Sequence, residues 1–227
     1  MSIKILKDET KDLKKEITLF LRMVCLCQHD QVYLFENHSK HLINRSNQKV
    51  LKATVLLMLY NLIEATITKL IKEITNEINN SVAYIDLIDN VKKAWIKIHC
   101  RAPLLECKKE NFPSKMHEYM EETLNKTAIK LEIATLRGLI SGNADSENIK
   151  KVCFEYGIKI LKHCSELDMV KQKRNELAHG ESRFTEVGGN ITESELKKYK
   201  EAVYQHLDLV IKSTEKYLKN KEYKKTS

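Results

Sequence analysis

The sequence contains few residues that break helices. Only two prolines and six glycines occur among its 227 residues, and all eight lie between positions 103 and 189. All-β folds need frequent turns, which glycine and proline supply. No β-hairpin signal, internal repeat or low-complexity tract is evident either. The sequence therefore favours an all-α protein with long N-terminal helices.

Long hydrophobic runs are also missing. The longest strongly apolar run, VLLMLYNLI at 55–63, is about half of the roughly 20 residues that cross a bilayer. The first residues, MSIKILKDETKDLKKE, are charged throughout and lack an apolar signal core with a small-residue cleavage site. We predict a cytoplasmic protein without a membrane partner.

The six cysteines do not form a paired metal-ligand pattern. Two of them lie in Cys25–His29 and two in His99–Cys107, but neither group has the two-by-two spacing of a zinc site. A cytoplasmic chain of this length needs no disulfides, and its thiols would stay reduced. We interpret the cysteines as small core residues and predict no metal and no cofactor.

Positive charge is in excess, because the sequence has 39 Lys and Arg residues and 31 Asp and Glu residues, which gives a net charge of +8. Such a balance favours a polyanionic partner such as nucleic acid, since phosphate neutralisation releases counterions. Exposed lysines on an ordinary soluble protein produce a similar value. Charge alone therefore indicates RNA or DNA only weakly.

Apolar residues recur at three- and four-residue steps in the N-terminal half, which predicts amphipathic helices. The first helix covers TKDLKKEITLFLRMVCL, and its buried face comprises Leu13, Ile17, Phe20, Leu21 and Val24. The second covers 47–78 and is apolar almost all round at its centre. We predict that this second helix is the central helix of the bundle.

Capping and breaking residues mark the later elements. We predict a helix over 82–98, a loop at about 100–113, and a helix that Ser114 caps and that ends between Gly138 and Gly142. Asp145 resembles the N-cap of a short helix that ends near Gly157.

The C-terminal part continues this pattern. A helix over 163–179 is followed by a loop over 180–190, and then Thr192 and Glu195 form a capping box for the last helix. We predict one helical domain over 1–220 and a basic, frayed tail over 221–227.

Glu64 lies among apolar residues of the central helix, between Ile63 and Ala65. A carboxylate there is costly unless it is paired or hydrogen-bonded. One interpretation is that Glu64 faces outward or meets an arginine from a neighbouring helix. The other is that it lines a site and positions a catalytic group.

The segment DMVKQKRNELAHGESRF, residues 168–184, holds the candidate site. Asn175 and His179 are four residues apart and lie on one helical face, about 6 Å apart along the axis. Arg174 is about 140° around the helix from His179, but its long side chain can reach a shared groove. Gly180 is typical of the position after a helix end, which puts His179 in the last turn.

A histidine at a helix end can transfer protons near neutral pH. The plain alternative is that arginine and histidine are common on exposed helix ends and that this spacing arose by chance. Asn175 likewise either bonds the imidazole or a phosphate, or bonds the local backbone.

The pattern RNELAHGE resembles the motif of the HEPN superfamily (higher eukaryotes and prokaryotes nucleotide-binding), in which an arginine is followed by a polar residue and then by a histidine after four to six residues. Arg174, Asn175 and His179 match that motif. The segments VLLMLYNLIEATITKLI, SGNADSENIKKVCFEYGI and RNELAHGESRFTEVGGNITESEL also look like HEPN nucleases that accompany prokaryotic defence and restriction systems. The resemblance covers roughly residues 10–220.

This resemblance implies an antiparallel helical bundle that forms a homodimer and, in active members, a metal-independent endoribonuclease. It implies catalytic roles for Arg174, Asn175 and His179 in a cleft that two subunits share. RNA carries its own nucleophile, the 2′-hydroxyl, so cleavage requires proton transfer and stabilisation of the charged phosphorane. His179 would move the proton, and the arginine fork would bind the phosphoryl oxygens.

Further residues have weaker assignments. Lys162, Lys171 and Lys173 lie on or near the motif helix and would follow an RNA backbone, although such lysines are more often a solvated face. Glu64 would support the motif from across the bundle. Glu181 stands where HEPN toxins that are silenced by nucleotidylation have a tyrosine, so a nucleotidyltransferase partner is disfavoured. The negative charge of Glu181 would either orient His179 or repel RNA.

Two functions compete at this point. The first is an endoribonuclease that acts as a toxin or anti-phage defence effector, with RNA as substrate and an antitoxin or defence-system protein as partner. The second is a non-catalytic HEPN dimer that serves as a nucleotide-binding or adaptor module. A DNA nuclease is disfavoured, because DNA lacks the 2′-hydroxyl and no carboxylate cluster suggests the usual metal site.

Overall fold

The computed structural model describes residues 3–97, 108–124, 142–160 and 162–225. Within these ranges the chain forms eight α-helices and one small hairpin. The helices are α1 (Ile3–Leu26), α2 (Arg45–Ser81), α3 (Asp89–Trp95), α4 (Phe112–Leu124), α5 (Ser146–Glu155), α6 (Ser165–Ala178), α7 (Phe184–Gly189) and α8 (Glu193–Lys219). The all-α class is confirmed.

Helix α2 is the centre of the fold. Helices α1, α6, α7 and α8 pack around it and bury most of its apolar side chains. Its first turn is closed by a capping box in which Asn44 and Asn47 each accept from the other's backbone N–H. The stretch Arg45–Asn79 is long and apolar enough to cross a membrane, yet half of its most apolar window is buried inside the fold. The core helix of a soluble protein passes the same test of length and composition.

The amphipathic pattern of the flanking helices is also confirmed. On α1, Ile17, Leu21 and Val24 are buried, and Leu13 and Phe20 pack partly buried against the core.

Capping predictions hold for α5 and α8. The Asp145 side chain accepts from Asn148 N–H, and Thr192 and Glu195 form the predicted capping box.

A hairpin that we did not predict joins α1 and α2. Its strands, β1 (Tyr33–Glu36) and β2 (Ser39–Leu42), are antiparallel, with Tyr33 opposite Leu42. The turn residue Asn37 has a φ of 52°, a left-handed conformation that asparagine tolerates better than most residues. Because the turn contains no glycine, it lacks the strongest hairpin signal.

The predicted single helix over 82–98 is wrong, because its middle is extended and pairs with the C-terminal end of the chain. Leu87 forms an antiparallel bridge with Lys224, and Ile88 N–H donates to the Tyr223 carbonyl oxygen at 3.0 Å. The Tyr223 side chain is fully buried. The predicted frayed tail is therefore wrong up to the last described residue.

Two predicted loops contain helix in their described residues, and residues 100–107 of the first loop lie outside the described ranges. Helix α4 begins at Phe112, so Pro113 lies in its first turn, where a missing N–H costs nothing, and Ser114 is not the cap. The segment over 180–190 contains α7, which packs closely on α2. The predicted end of α4 between Gly138 and Gly142 lies mostly outside the described residues.

Candidate functional site

Helix α6 carries the predicted motif and ends where the sequence indicated. Leu167 and Val170 are fully buried and anchor the helix on the core. The backbone N–H of His179 donates to the Asn175 carbonyl oxygen at 2.9 Å, and Gly180 follows with a φ of 70°. The chain thus leaves the helix directly after His179 through a conformation that favours glycine.

Arg174 is held between α6 and α2. Its guanidinium carbon lies 4.4 Å from the centre of the Tyr60 ring, and Nη1 donates to the side-chain oxygen of Asn175 at 3.0 Å. Among the described residues, no carboxylate lies within salt-bridge distance of this half-buried guanidinium. Within the described ranges, Arg174 is therefore a positioned cation that forms no ion pair.

The segment that precedes α5 approaches the same place. Gly142 N–H donates to Glu64 Oε1 at 3.3 Å, and Ala144 N–H donates to the Tyr60 hydroxyl oxygen at 3.4 Å. A Cβ at Gly142 would lie 3.8 Å from Arg174 Nη1. Among the described residues, the partner of Glu64 is therefore a backbone N–H, and Glu64 lies on the Arg174 side of α2.

Electrostatics keep the Tyr60 phenol neutral. Burial raises the pKa of Tyr60, and the negative charges of Glu64 and Asp145 raise it further. The hydrogen bond from Ala144 and the positive charge of Arg174 act in the opposite direction without reversing the shift. Tyr60 thus offers Arg174 an uncharged aromatic face.

Asn175 contacts both ends of the motif. Its side-chain oxygen accepts from Arg174, and its backbone oxygen accepts from His179. The amide oxygen therefore bonds the arginine, and among the described residues the side chain bonds neither the imidazole nor the local backbone, whereas a contact with a phosphate stays a prediction. The arrangement fixes the guanidinium relative to the end of α6.

His179 itself is exposed, and no hydrogen bond joins its imidazole to any residue that the structure describes. The structure therefore brings together Arg174, Asn175, Tyr60 and Glu64, whereas His179 stands apart from them at the helix end. Its ring is free to contact a ligand or a second subunit.

A cleft of about 430 Å³ opens on the Asn175 side of α6. Its lining is strongly acidic and comprises Asp145, Glu147, Asp168, Lys171, Gln172, Asn175, Glu176 and Glu181. Asp168 Oδ1 accepts from the backbone N–H of Ser146 and so joins α6 to the first turn of α5. Five carboxylates against one lysine make this cleft unfavourable for RNA.

Two of the three lysines that we assigned to RNA are neutralised within the chain. Lys171 Nζ lies 3.2 Å from Asp145 Oδ2, and Lys173 Nζ lies 3.0 Å from Glu176 Oε2. Lys162 is exposed and forms no ion pair with any described residue. The motif helix therefore offers less free positive charge than its sequence suggests.

Tyr60 and Gly142 are members of this cluster that sequence reasoning missed. Tyr60 lies one turn before Glu64 on α2, so the two side chains share a helical face. A tyrosine hydroxyl beside a carboxylate in an apolar run was the available signal, since both groups need partners. The sequence contains no such signal for Gly142, because the role of this residue depends on a φ of 75° and on contacts with residues distant in sequence.

The cysteines in the described ranges behave as core residues. Cys27, Cys153 and Cys164 are buried, and burial raises the pKa of Cys153 to about 12. The group at His99–Cys107 lies outside the described residues. Within the described ranges, no three His, Cys, Asp or Glu side chains come close enough to hold a metal ion.

Comparison with known proteins yields one family match. The family described as HEPN_MAE_28990-like HEPN matches residues 2–223, which is nearly the whole chain. No curated protein and no solved structure matches the chain. The helical fold agrees with that match. The chain belongs to the HEPN superfamily.

Proposed function

We propose that this protein is an endoribonuclease that cleaves RNA through the 2′-hydroxyl of its substrate, with Arg174 and His179 as its catalytic residues. The observation that carries the proposal is the state of Arg174, a half-buried guanidinium that Tyr60 and Asn175 hold and that forms no ion pair with any described carboxylate. Such a group is suited to a phosphate, because its planar fork donates two parallel hydrogen bonds.

The reaction requires two proton transfers. A base removes the proton of the 2′-hydroxyl, the oxygen attacks the adjacent phosphorus, and the 5′-oxygen leaves after it receives a proton from an acid. The products are a 2′,3′-cyclic phosphate and a 5′-hydroxyl. Arg174 would stabilise the charge that develops on the phosphoryl oxygens. The nucleophile belongs to RNA, so a metal-bound water is not needed to generate it.

A homodimer would complete this machinery. Base and acid act on opposite sides of the phosphorus, whereas one chain supplies a single histidine in the motif. A two-fold interface presents the same patch from both subunits and would supply two imidazoles. The exposed, unbonded ring of His179 at the end of α6 is consistent with such a contact.

The acidic cleft is the observation that favours a second function. A surface with five carboxylates beside Asn175 suits a basic segment of a partner protein better than it suits RNA. On this alternative the chain is a non-catalytic adaptor module, and His179 has no chemical task.

The test uses labelled single-stranded RNA with excess EDTA and three proteins: wild type, His179→Ala and His38→Ala. His38 is an exposed histidine of the hairpin turn and serves as the matched control. We expect wild type and His38→Ala to produce 2′,3′-cyclic phosphate ends and His179→Ala to produce none. Equal cleavage by all three proteins, or dependence of cleavage on a divalent metal, would contradict the proposal.

The biological role would follow from that activity. A cytoplasmic ribonuclease of this type would act as a toxin or an anti-phage effector, which an antitoxin or defence-system protein restrains. Expression of wild type would then arrest growth of a host cell, and His179→Ala would relieve the arrest.

A further inference from the structure

Helix α5 presents one polar and aromatic face to solvent. Glu147, Lys150, Lys151 and Phe154 recur at three- and four-residue steps and form a continuous stripe, whereas Ile149 and its neighbours on the opposite face are buried. The Phe154 side chain is 63% exposed. An aromatic ring that is left in water beside two lysines is unlike a core position and suggests a binding surface.

Grooves lie on both sides of Phe154. One has a volume of about 550 Å³ and is lined by Glu147, Lys150, Lys151, Phe154, Ile158, Lys159 and Ile160. The other has a volume of about 210 Å³ and is lined by Asn90, Lys93, Ala94, Lys97, Phe154 and Glu155. Together they have an apolar floor, an exposed aromatic ring between them and an excess of lysines at the rim.

The positive charge of this surface is available to a ligand. Lys97 forms an ion pair with Glu155, but Lys93, Lys150, Lys151 and Lys159 form no ion pair with any residue that the structure describes. This differs from the motif helix, where intramolecular carboxylates neutralise two of the three candidate lysines.

The surface is continuous with the candidate active site. The residues that precede α5 contact Tyr60 and Glu64 and reach Arg174. A strand that is bound over α5 would therefore run toward the Arg174 side of α2.

We propose that the exposed face of α5 binds a single-stranded segment of RNA outside the cleavage site. Phe154 stacks on a base, and Lys150, Lys151 and Lys159 contact the flanking phosphates. Exposed aromatic rings among unpaired cations are the features with which proteins hold single strands without sequence preference. This inference rests on the proposed ribonuclease function, for which it names the substrate-holding surface.

An acidic amphipathic peptide is the competing ligand for an apolar groove with a basic rim. The distribution of charge favours RNA, because lysines that form no ion pair with any described residue lie in both grooves. A helical peptide would instead need one continuous apolar groove, whereas Phe154 separates two.

The test measures binding rather than cleavage. A fluorescent single-stranded RNA in which every 2′-hydroxyl is methylated cannot supply the nucleophile, so its affinity is measured without cleavage, and the variants identify the part that the α5 surface contributes. The full-length proteins are wild type, Phe154→Leu, the double variant Lys150→Gln/Lys151→Gln, and the matched control Lys216→Gln/Lys219→Gln on α8. Phe154→Leu retains apolar cover and removes the stacking ring, and thermal unfolding verifies that each variant folds.

We expect Phe154→Leu to weaken binding about tenfold. The Lys150/Lys151 variant should lower the slope of log affinity against log salt by about two, while the Lys216/Lys219 control keeps the wild-type slope. Equal affinity and slope in all four proteins, or no binding by wild type, would overturn the inference. Binding of an acidic amphipathic peptide that RNA does not displace would overturn it in favour of a protein partner.

The two proposals fail separately. RNA binding that depends on α5, in a protein that cleaves no RNA, would support this surface and contradict the ribonuclease. Cleavage that depends on His179, in a protein whose RNA affinity ignores Phe154 and the α5 lysines, would do the reverse.

Discussion

The guanidinium of Arg174 stacks on the ring of Tyr60, with 4.4 Å between the guanidinium carbon and the ring centre. This contact joins the motif helix α6 to the central helix α2 across more than one hundred residues of sequence. It restricts a long side chain that would otherwise sample many rotamers, and such preorganisation increases its value in a transition state. The position of the proposed phosphate-binding group is therefore set by α2 as much as by the motif.

Replacement of Tyr60 tests this dependence. Tyr60→Leu removes the aromatic face, and we expect RNA cleavage to fall by about tenfold or more, because Arg174 loses its support and about 1 kcal/mol of cation–π attraction. Tyr60→Phe keeps the ring and loses only the long hydrogen bond from Ala144 N–H. The measurement compares the cleavage rates of Tyr60→Leu and Tyr60→Phe at saturating RNA. If Tyr60→Leu and Tyr60→Phe lost cleavage to a similar extent, the hydroxyl rather than the stacked ring would be the group that supports cleavage.

Arg174→Lys separates charge from geometry. Lysine keeps the positive charge but lacks the planar fork, and it stacks less well on Tyr60. We expect the lysine variant to lose about 10²- to 10³-fold in cleavage rate, close to Arg174→Ala, with a much smaller change in stability. Single-turnover cleavage and thermal unfolding of both variants measure this. Near wild-type cleavage by Arg174→Lys would show that a point charge suffices.

Local patterns predicted most of the helices but only part of the site. Helix α2 was predictable because its apolar run has no breaker, and the end of α6 because Gly180 follows the last periodic residues. Arg174, Asn175 and His179 were found because they lie within six residues of each other. Glu64 was a candidate because its carboxylate lies in an apolar run, whereas the contacts of Tyr60 and Gly142 with Arg174 are tertiary and no local pattern encodes them.

The errors have the same origin. Residues 82–98 have helical periodicity, but the bridge from Leu87 to Lys224 holds their middle extended. The tail has the composition of a frayed end, yet Tyr223 is buried between elements distant in sequence. Helix α7 contains a Gly-Gly pair that argues against helix, although close approach to α2 requires a residue without a Cβ at Gly188. In each case a long-range contact overrides the local preference.

The two glycines of α7 should therefore respond differently to substitution by alanine. A Cβ at Gly188 would lie 1.8 Å from the backbone oxygen of Lys49, whereas a Cβ at Gly189 would lie 3.4 Å from the flexible end of the Lys49 side chain. We expect Gly188→Ala to lower the free energy of unfolding by about 3 kcal/mol or more, because α7 must move away from α2. Gly189→Ala should stay within about 1 kcal/mol of wild type.

Urea unfolding of the two variants provides the comparison. Equal midpoints would mean that the close approach of α7 to α2 is not required for stability. A loss in Gly189→Ala alone would contradict the packing described for this helix.

His206 on α8 should make stability depend on pH. Its side chain is buried, and neither ring nitrogen has a hydrogen-bond partner among the described residues. Burial lowers the pKa of His206 from its ordinary value of 6.5, the positive charges of Lys162 and His163 lower it further, and Asp168 opposes them. In the folded protein the imidazole is therefore neutral at a pH where the unfolded chain has begun to bind a proton.

The direction of the effect follows from that difference. Because the folded pKa lies below the unfolded one, the contribution of His206 to stability is complete above about pH 6.5. It is lost as the pH falls toward the folded pKa, since protons then favour the unfolded chain. We expect the free energy of unfolding to decrease between pH 7 and pH 5, and His206→Leu to reduce this decrease by removing the titrating group. Urea titrations at several pH values measure the slope.

A surface histidine gives the control for this prediction. His38 is exposed in the hairpin turn, so His38→Gln should leave the pH dependence of unfolding at its wild-type slope. At pH 7.5, His206→Leu should be about as stable as wild type or more so, because the imidazole that it replaces makes no hydrogen bond with any described residue and leucine has a similar volume. If His206→Leu kept the full wild-type slope, the pH dependence would belong to other groups, and the carboxylates of the acidic cleft would be the next to test.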